Sequence, residues 1–566
     1  MLPSNFRHNL RQVFRHNFRP QALFIAAIVA LLIATSIVHG LQVSYAASPG
    51  KVMQGKQYTL DKPPSVVPTF NSAIPDWPEF RGDAARDGNQ QTNSYINKSN
   101  ALSLLPVSGS AYTSTGSAED SPAVYQGILY YVANTVTQKN GRNVVTNTLY
   151  AVDTTAGSVL WSYQFPLCGN ATFTQFVASS PAVTTGMVNG VATTEVFVGW
   201  GAKKGCFYDF NGLTGTIIWV YGPTSGILSS PAIMATNSGT LVVYGDENDY
   251  VRAFSTTYTG TLGGRQSPAW IYNDRLDPPP AGYSQYCLPA PDLCGDSVWS
   301  SPAEAMVMVN GVAHHYAYFG VGAQTNFVGR VDAIDLDLRP AKVPTLAWSF
   351  WDPHPQFDND FGSVAVLTDA NGFAMRVFSG NNGGHMFGID AVTGTMYFDF
   401  NTSVQLGGLV DSMIHSTPAL VTINTKTELI FTSGCPASKL CHGPFGYIWA
   451  IDALSNVPSG MRIWISQNYE DDLVSSPVIA NQGTQAVAFV LGTWKAGALR
   501  HGDLLVFDPM TGNLLNDYQV LNHLYGTIST PAIYGGHIFI TEGFAEFNSP
   551  DPGGGGLAAF QCSGCP

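Results

Sequence analysis

Residues 149–161 read LYAVDTTAGSVLW, and this phrase returns along the chain. Its clearest copies are FYDFNGLTGTIIW at 207–219, GHMFGIDAVTGTMYF at 384–398 and LLVFDPMTGNLLN at 504–516, with looser copies near Ser255, Asp335 and Asp452. The alternating apolar residues predict a strand, and the Asp or Asn predicts a turn capped by its side chain. The glycine supplies the positive φ that such a turn needs, and the closing aromatic has enough area to pack between neighbouring sheets. Each copy therefore predicts a strand, a tight turn and a second strand.

A second phrase marks the start of each unit. It reads SSPAV at 179–183 and recurs with its proline position at 122, 181, 231, 302, 364 (a valine here), 418, 477 and 531. The eight starts lie 50 to 71 residues apart, which gives each unit room for about four short strands. Such units bury both faces only when they stack. We predict an all-β fold, a single eight-bladed propeller of four-stranded blades over residues 77–560. The last unit ends after LAAF at 557–560, and we expect a strand from residues 102–107 to complete it.

The composition agrees with an all-β protein rich in turns. Among 566 residues there are 58 Gly and 35 Pro, and only 11% of the chain is charged, against about 25% in an average soluble domain. A helical bundle or a parallel α/β fold would need more helix formers at helical spacing. The net charge of -13 excludes a general electrostatic footprint for nucleic acid.

The first 46 residues have the character of an export segment. Arg7, Arg11, Arg15 and Arg19 precede an uncharged apolar stretch at 22–38, which predicts a signal peptide or an uncleaved signal anchor. We expect a linker at 47–76, a C-terminal tail at 561–566, and a body outside the cytoplasm. That body is either secreted or held at the membrane through the N-terminal segment alone.

The eight cysteines suit an oxidising compartment. Local spacing favours the pairs Cys287–Cys294 and Cys435–Cys441, with Cys168–Cys206 as a third, although about 105 complete pairings are possible. Cys562 and Cys565 form a CxxC phrase with no second pair of metal ligands nearby and no βαβ context, so neither a zinc site nor a redox motif is indicated.

The repeated phrase resembles the tryptophan-docking repeat of quinoprotein-type, PQQ-like propellers. The stretch WPEFRGDAARDGN at 77–89 is similar to the opening of that superfamily, and the resemblance covers roughly residues 77–560. It implies an eight-bladed propeller, a fold that serves many functions. In the family's dehydrogenases the cofactor PQQ lies over the central channel, held by Ca²⁺ beside a catalytic Asp.

Two residues match the dehydrogenase pattern. PHPQFDNDFG at 353–362 resembles the phrase that carries the catalytic Asp. The resemblance implies that Asp360 is the base that takes the alcohol proton. Trp299, in DSVWSSPA, is a candidate floor for the quinone ring.

The metal ligands of the family are missing. Ala323 stands where the resemblance leads us to expect a ligand Asn, and Lys203 and Lys204 occupy the turn that should carry a ligand Glu. The two lysines are candidates to replace the cation's charge beside the quinone. No haem-attachment motif occurs. We predict no metal site.

Each candidate also has a purely structural interpretation. Asp360 opens an inner strand, where a channel-lining carboxylate commonly bonds backbone, and Trp299 is one of many propeller aromatics. His385 follows a turn, at the start of a strand, rather than serving as a ligand. The run Asp358-Asn359-Asp360 lacks the remaining positions of a calcium loop.

Two functions follow from these patterns. The first is an exported, non-catalytic binding or assembly scaffold that needs no cofactor and holds a protein, peptide or polymer on one propeller face, similar to the outer-membrane assembly propellers of the superfamily. The alternative is an atypical PQQ-dependent alcohol or sugar dehydrogenase with PQQ and Ca²⁺. The intact repeat with its metal ligands gone favours the first, and Asp360 favours the second.

Overall fold

Strand, turn and strand follow one another along the chain, as the repeated phrase predicts. The computed structural model describes residues 56–59, 74–90, 95–108, 120–139, 142–168, 179–201, 204–274, 283, 297–322, 328–337, 343–354, 360–408, 413–435, 445–467, 469, 475–481, 483–496, 499–520, 529–541 and 556–565. In this part of the chain the helical pieces are short: α1 (Thr402–Gln405), α2 (Pro458–Met461) and the 3₁₀ turns Asn100–Ser103 and Gly483–Gln485.

The described strands, in chain order, are β1 (Lys56–Thr59), β2 (Asn89–Gln90), β3 (Leu104–Pro106), β4 (Ala123–Tyr125), β5 (Ile128–Lys139), β6 (Arg142–Asp153), β7 (Ser158–Gln164), β8 (Ala182–Val188), β9 (Val191–Trp200), β10 (Cys206–Asn211), β11 (Ile217–Tyr221), β12 (Ala232–Met234), β13 (Leu241–Gly245), β14 (Tyr250–Ser255), β15 (Thr257–Tyr258), β16 (Gly264–Arg265), β17 (Trp270–Asn273), β18 (Ala303–Val309), β19 (Val312–Val321), β20 (Arg330–Asp335), β21 (Thr345–Trp351), β22 (Ala365–Thr368), β23 (Ala374–Gly380), β24 (His385–Asp390), β25 (Met396–Asn401), β26 (Ala419–Ile423), β27 (Lys426–Cys435), β28 (Phe445–Asp452), β29 (Arg462–Ile465), β30 (Val478–Ala480), β31 (Val487–Ala496), β32 (Leu499–Phe507), β33 (Leu514–Val520), β34 (Ala532–Tyr534), β35 (His537–Thr541) and β36 (Leu557–Cys562).

Seven blades are each built from one continuous stretch of chain. Their four antiparallel strands run in chain order: β4 to β7, β8 to β11, β12-β13-β14-β17, β18 to β21, β22 to β25, β26 to β29 and β30 to β33. A further sheet, β34-β35-β36-β3, joins the two ends of the described chain, with Leu104 opposite Cys562 and Pro106 opposite Phe560. The predicted all-β propeller of four-stranded blades is confirmed, and so is the strand expected at 102–107. The number of blades made from a continuous stretch is seven, not eight, because the last unit runs out of chain before its outer strand.

The SSPA phrase ties neighbouring sheets together. Its second hydroxyl accepts a hydrogen bond from the backbone N–H at the matching position of the preceding unit. These bonds are Ser121 N to Ser180 Oγ (2.9 Å), Ser180 N to Ser230 Oγ (3.0 Å), Ser230 N to Ser301 Oγ (3.0 Å), Ser301 N to Ser363 Oγ (2.7 Å), Thr417 N to Ser476 Oγ (2.9 Å) and Thr530 N to Ser121 Oγ (2.8 Å). The last bond links the sheet of both chain ends to the first blade.

The LYAVD phrase explains how blades pack side by side. Three tryptophans lie on the turn glycine of the next blade: Trp161 on Gly215, Trp348 on Gly394 and Trp464 on Gly512. Each indole N–H donates to a carbonyl of that turn: Gly212 O (2.6 Å), Ala391 O (3.0 Å) and Pro509 O (2.7 Å). The three glycines have φ between +69° and +72°. Two constraints require glycine at each of these turns. A side chain would be strained at this φ, and it would also collide with the indole.

Residues 77–90, which we call the channel segment, run along the inner strands. The segment accepts backbone N–H bonds two positions after the proline site of seven successive units: Val124, Val183, Ile233, Glu304, Val366, Leu420 and Ile479, at 2.7 to 3.0 Å. Arg86 donates to Pro302 O (3.0 Å) and Pro231 O (2.9 Å), and Arg81 donates to Pro418 O (2.6 Å). Both arginines are fully buried. The WPEFRGDAARDGN stretch therefore fastens the inner strands to one another.

Two described elements lie in the stretches that we expect to be the linker and the C-terminal tail. Residues 56–59, expected in a linker, form β1 and pair with β7, because the outer strand of the first blade offers an open edge. Cys562, expected in the tail, ends β36, and its disulfide to Cys565 fixes the residues that follow.

The Cys168–Cys206 disulfide is confirmed. Cys287, Cys294 and Cys441, and with them the other two proposed pairs, lie outside the described residues, as does the predicted export segment with its apolar stretch at 22–38. Within the part of the chain that the structure describes, no helix is long and apolar enough to cross a membrane.

Candidate functional site

Three backbone segments of the fourth and fifth blades meet at one place. The first leads into inner strand β18 and carries Ser297 and Trp299, the second is the end of β19 at Gly322, and the third leads into β22 and carries Asp360. Gly322 N donates to Ser297 O at 2.8 Å, which joins the first two segments. Strand starts and strand ends meet here because antiparallel neighbours turn at the same edge of a blade.

Three polar side-chain atoms pack closely around Gly322. A Cβ built on this glycine would lie 2.6 Å from Trp299 Nε1, 2.8 Å from Asp360 Oδ1 and 3.0 Å from Ser297 Oγ, too close for any side chain. We call this cluster of three polar atoms around Gly322 the Gly322 cradle. It presents an indole N–H donor, a carboxylate acceptor and a hydroxyl that can donate or accept.

Two of these groups have no hydrogen-bond partner among the residues that the structure describes. Trp299 Nε1 and Ser297 Oγ are buried and make no hydrogen bond to any described residue. Leaving such a group unsatisfied costs about 1–3 kcal/mol. The ring of Trp299 and the side chain of Asp360 are each partly exposed, whereas Trp299 Nε1 and Ser297 Oγ themselves are shielded from solvent. A ligand therefore reaches the two exposed side chains first, and a small shift is needed before it can bond the two buried atoms.

The structure brings two of the predicted site residues together and leaves the others apart. Asp360 and Trp299 both face the cradle. Lys204 is exposed at the turn between β9 and β10. Lys203, Ala323, Asp358 and Asn359 lie outside the described residues. The Asp360 backbone carbonyl accepts from Asn382 N at 3.1 Å, which fixes the segment without using the carboxylate.

Sequence reasoning missed Ser297 and Gly322. Ser297 lies two residues before Trp299, and Gly322 directly precedes the alanine that replaces the family's Asn. The sequence carried a signal for each: the serine lies close to the candidate quinone floor Trp299, and the glycine lies in the turn where the family has a metal ligand.

The donor set of the cradle does not fit the metal of the quinoprotein family. Ca²⁺ takes six to eight oxygen ligands, typically with several carboxylates. The cradle offers the Asp360 carboxylate and the Ser297 hydroxyl, while the indole N–H of Trp299 is a donor and cannot coordinate a cation. We therefore assign neither PQQ nor Ca²⁺ to the cradle.

The channel segment carries buried charges whose ionisation is shifted. Burial raises the pKa of Glu79 to about 7, although nearby Arg86, 3.5 Å away, opposes the shift. Burial also lowers the pKa of Arg81 to about 9. These groups act on the inner strands through hydrogen bonds, and their function is structural.

Comparisons with known proteins agree on the fold. The sequence profile of the family "Outer membrane protein assembly factor BamB" matches residues 107–264, less than half of the chain. No curated protein matches the sequence. The structure is similar to a europium-containing methanol dehydrogenase, with a TM-score of 0.55 and 13% identity, over 86% of this chain and 98% of that one.

Two more solved structures show different degrees of likeness. The quinohemoprotein alcohol dehydrogenase ADHIIG from Pseudomonas putida HK5 matches with a TM-score of 0.55 and 13% identity, over 86% of this chain and 80% of that one. BamB from Moraxella catarrhalis reaches a TM-score of 0.41 at 11% identity, over 81% of this chain and 99% of that one. At these identities the likeness to the two dehydrogenases establishes the quinoprotein-like propeller fold and nothing further.

Proposed function

We propose that the chain is an exported, non-catalytic propeller that binds a polymer or peptide at the Gly322 cradle. The observation that carries the proposal is the convergence of Trp299 Nε1, Ser297 Oγ and Asp360 Oδ1 around Gly322, with the first two unpartnered in the described structure. The assembly-factor profile over residues 107–264 supports a binding scaffold. The Cys168–Cys206 disulfide supports an oxidising location.

The cradle defines the chemistry of the ligand. The indole N–H donates, the carboxylate accepts, and hydroxyl and amide groups can complement both. The net charge of -13 and the Asp360 carboxylate disfavour an anionic ligand. We therefore propose a neutral or cationic ligand rich in hydroxyl or amide groups, such as a neutral polysaccharide or a peptide.

A pair of glycine variants tests this proposal. The purified chain is screened on an array of neutral oligosaccharides and on a peptide array, beside Gly322→Ala and Gly362→Ala. An added Cβ at Gly322 collides with the cradle atoms, whereas at Gly362 it meets its nearest neighbour, His415 O, at 3.4 Å, an ordinary contact. We expect a ligand held by the wild type and by Gly362→Ala, with affinity reduced at least about tenfold, or about 1.4 kcal/mol, in Gly322→Ala. Equal binding by both variants would remove the cradle from the function.

A dehydrogenase is the second candidate, and the pairing of Asp360 with Trp299 is the observation that favours it. In that function the Asp360 carboxylate, one oxygen of which lies at the cradle, accepts the proton of a bound alcohol hydroxyl, and the partly exposed ring of Trp299 supports a flat cofactor. PQQ supplies hydride acceptance when bound in such enzymes. Its fit here is opposed by the missing ligands at Ala323 and at the Lys203-Lys204 turn.

Calorimetry with PQQ, alone and with Ca²⁺, followed by dye reduction with alcohols and sugars, separates the two candidates. We expect no saturable PQQ binding tighter than about micromolar, or about -8 kcal/mol. Tight binding that disappears in Asp360→Ala would replace the scaffold by the enzyme.

We also propose that the seven blades are closed into one ring by the sheet of both chain ends, which lies between the last blade and the first. Thr530 N to Ser121 Oγ and the pairing of β3 with β36 support this arrangement. Deleting residues 100–108 should then lower the Tm by several degrees, because Ala101 and Leu104 leave the core. An unchanged melting curve would count against closure by β3.

A further inference from the structure

We propose that His354, His385 and Asp399 bind one divalent transition-metal ion such as Zn²⁺. One ligand atom of each residue lies within 4.8 Å of those of the other two. Two imidazoles and one carboxylate are a donor set that suits zinc, copper and nickel and does not suit calcium. The site is distinct from the Gly322 cradle and from the metal site of the quinoprotein family.

Three elements supply the ligands. His354 follows the outer strand β21 of the fourth blade, His385 is the first residue of β24, and Asp399 lies in the neighbouring outer strand β25 of the fifth blade. The site therefore joins two blades. His385 is buried, whereas the side chain of His354 is 48% exposed, so an ion can enter from the solvent.

The Asp399 carboxylate already bridges both imidazoles. His354 Nε2 lies 2.7 Å from Asp399 Oδ2, and His385 Nδ1 lies 2.6 Å from Asp399 Oδ1. Both carboxylate oxygens thus face ring nitrogens, and an ion would take the place of the two bridging protons. Each proton then moves to the other nitrogen of its ring or to solvent, because a metal ligand must be deprotonated at the coordinating atom.

The rings need one adjustment. They are stacked with centroids 4.3 Å apart and planes 24° from parallel, whereas a coordinated ion lies close to the plane of each imidazole. The partly exposed His354 can turn to reach it. Asn401 Nδ2 lies 2.9 Å from His385 Nε2, and Asn401 Oδ1 accepts from Val404 N at 2.9 Å. When Nδ1 of His385 binds the ion and the ring proton lies on Nε2, the Asn401 amide must therefore turn away from this nitrogen.

A chain of hydrogen bonds holds the two histidines in place. Asn381 Oδ1 accepts from His385 N at 3.0 Å, and Asn381 Nδ2 donates to Asp352 Oδ2 at 2.8 Å. Asp352 Oδ1 accepts in turn from His354 N at 2.8 Å. Such outer contacts orient metal ligands and raise affinity. The backbone positions of both histidines are therefore fixed before an ion arrives.

A second cluster provides the contrast. His314, Asp335 and Asp337 are equally close together, but they contain a single imidazole. Both Asp337 oxygens accept backbone N–H groups, from Asn237 and His315 at 2.9 Å, and Asp335 Oδ1 accepts from Asp337 N at 3.0 Å. These carboxylates cap turns, so this cluster serves as the control.

The test is metal titration of the full chain with its disulfides intact. After treatment with a chelator, the protein is titrated with Zn²⁺ in a calorimeter and with Co²⁺ by visible absorption. We expect one ion per chain, bound at about micromolar or tighter. His354→Ala should weaken binding at least about tenfold, and His314→Ala should leave it unchanged. Because His354 is partly exposed, its removal does not endanger the fold; His385→Ala, checked by circular dichroism, is the second variant.

Three results would overturn the proposal. They are an absence of saturable Zn²⁺ binding below about 1 mM, or about -4 kcal/mol, an affinity of His354→Ala equal to the wild type, and an equal loss in His314→Ala.

Discussion

Tryptophans that lie against a glycine differ in the hydrogen bond of their indole N–H, and the difference separates the docking repeat from the cradle. At Gly215, Gly394 and Gly512 the indole of the preceding blade packs on the glycine and its N–H is bonded to a carbonyl. At Gly322 the Nε1 of Trp299 faces the glycine, and this N–H has no partner among the described residues. Trp77 on Gly82 also has an unpartnered N–H, but its ring is buried, whereas the ring of Trp299 is partly exposed.

The largest effect should come from removing a saturated indole. Trp348→Ala deletes an indole that is 7% exposed, together with its bond to Ala391 O, and we expect a loss of about 3–5 kcal/mol in stability. Trp299→Ala should cost much less, because its ring is partly exposed and its N–H is unpaired. Chemical denaturation of both variants measures the difference, and equal losses would break the comparison.

The next effect concerns polar groups that are unsatisfied and sealed. Glu195 and Asp209 are fully buried and adjacent in the second blade. Burial raises the pKa of Glu195 to about 7, and burial together with the Glu195 charge holds the pKa of Asp209 well above its usual range. No ligand can reach this pair of carboxyl groups. A bound proton therefore neutralises the buried negative charge.

The sign of the pH dependence follows from the raised pKa values. The folded state binds protons more tightly than the unfolded state, so the stabilisation is complete below about pH 4.5 and is lost as the pH rises through about 7. The share of Glu195 is on the order of 3 kcal/mol. Stability measured from pH 5 to pH 8 should fall in the wild type and fall less in Glu195→Gln. An identical slope in both proteins would show that the pair does not hold the proton.

The smallest effect compares two serines three residues apart. Ser300 Oγ is bonded to both N and O of Gly320 at 2.7 Å, so Ser300→Ala should cost about 1 kcal/mol. Ser297 Oγ has no partner among the described residues. Ser297→Ala should therefore be neutral or slightly stabilising, because it removes a buried polar group without breaking a hydrogen bond. Thermal unfolding of the two variants decides, and a loss in Ser297→Ala as large as in Ser300→Ala would mean that its hydroxyl is paired within the protein.

The repeat was readable from sequence because its determinants are local. Asp153 caps its turn by accepting from Thr155 N (2.8 Å) and Ala156 N (2.9 Å), as the phrase predicts, and the glycine four residues after a turn Asp or Asn marks the docking positions. The strand at 102–107 was also predictable, since the last unit lacked one.

The sites were less readable because their geometry is not local. Asp360 and Trp299 were found through a resemblance, but nothing in the sequence says that they meet at Gly322. The sequence analysis weighed His385 by itself as a ligand; His354 and Asp399 converge with it only when β21 meets the fifth blade. The role of the channel segment, with its bonds to seven units, likewise depends on the closed arrangement of the inner strands.

A high-resolution crystal structure of the chain, grown without ligand, tests the central comparison most directly. We expect an ordered water or solute beside the Gly322 cradle, within hydrogen-bond distance of Trp299 Nε1, Ser297 Oγ and Asp360 Oδ1, and none between Trp161, Trp348 or Trp464 and their glycines. A dry cradle in which Trp299 Nε1 donates to a carbonyl of the protein would contradict it.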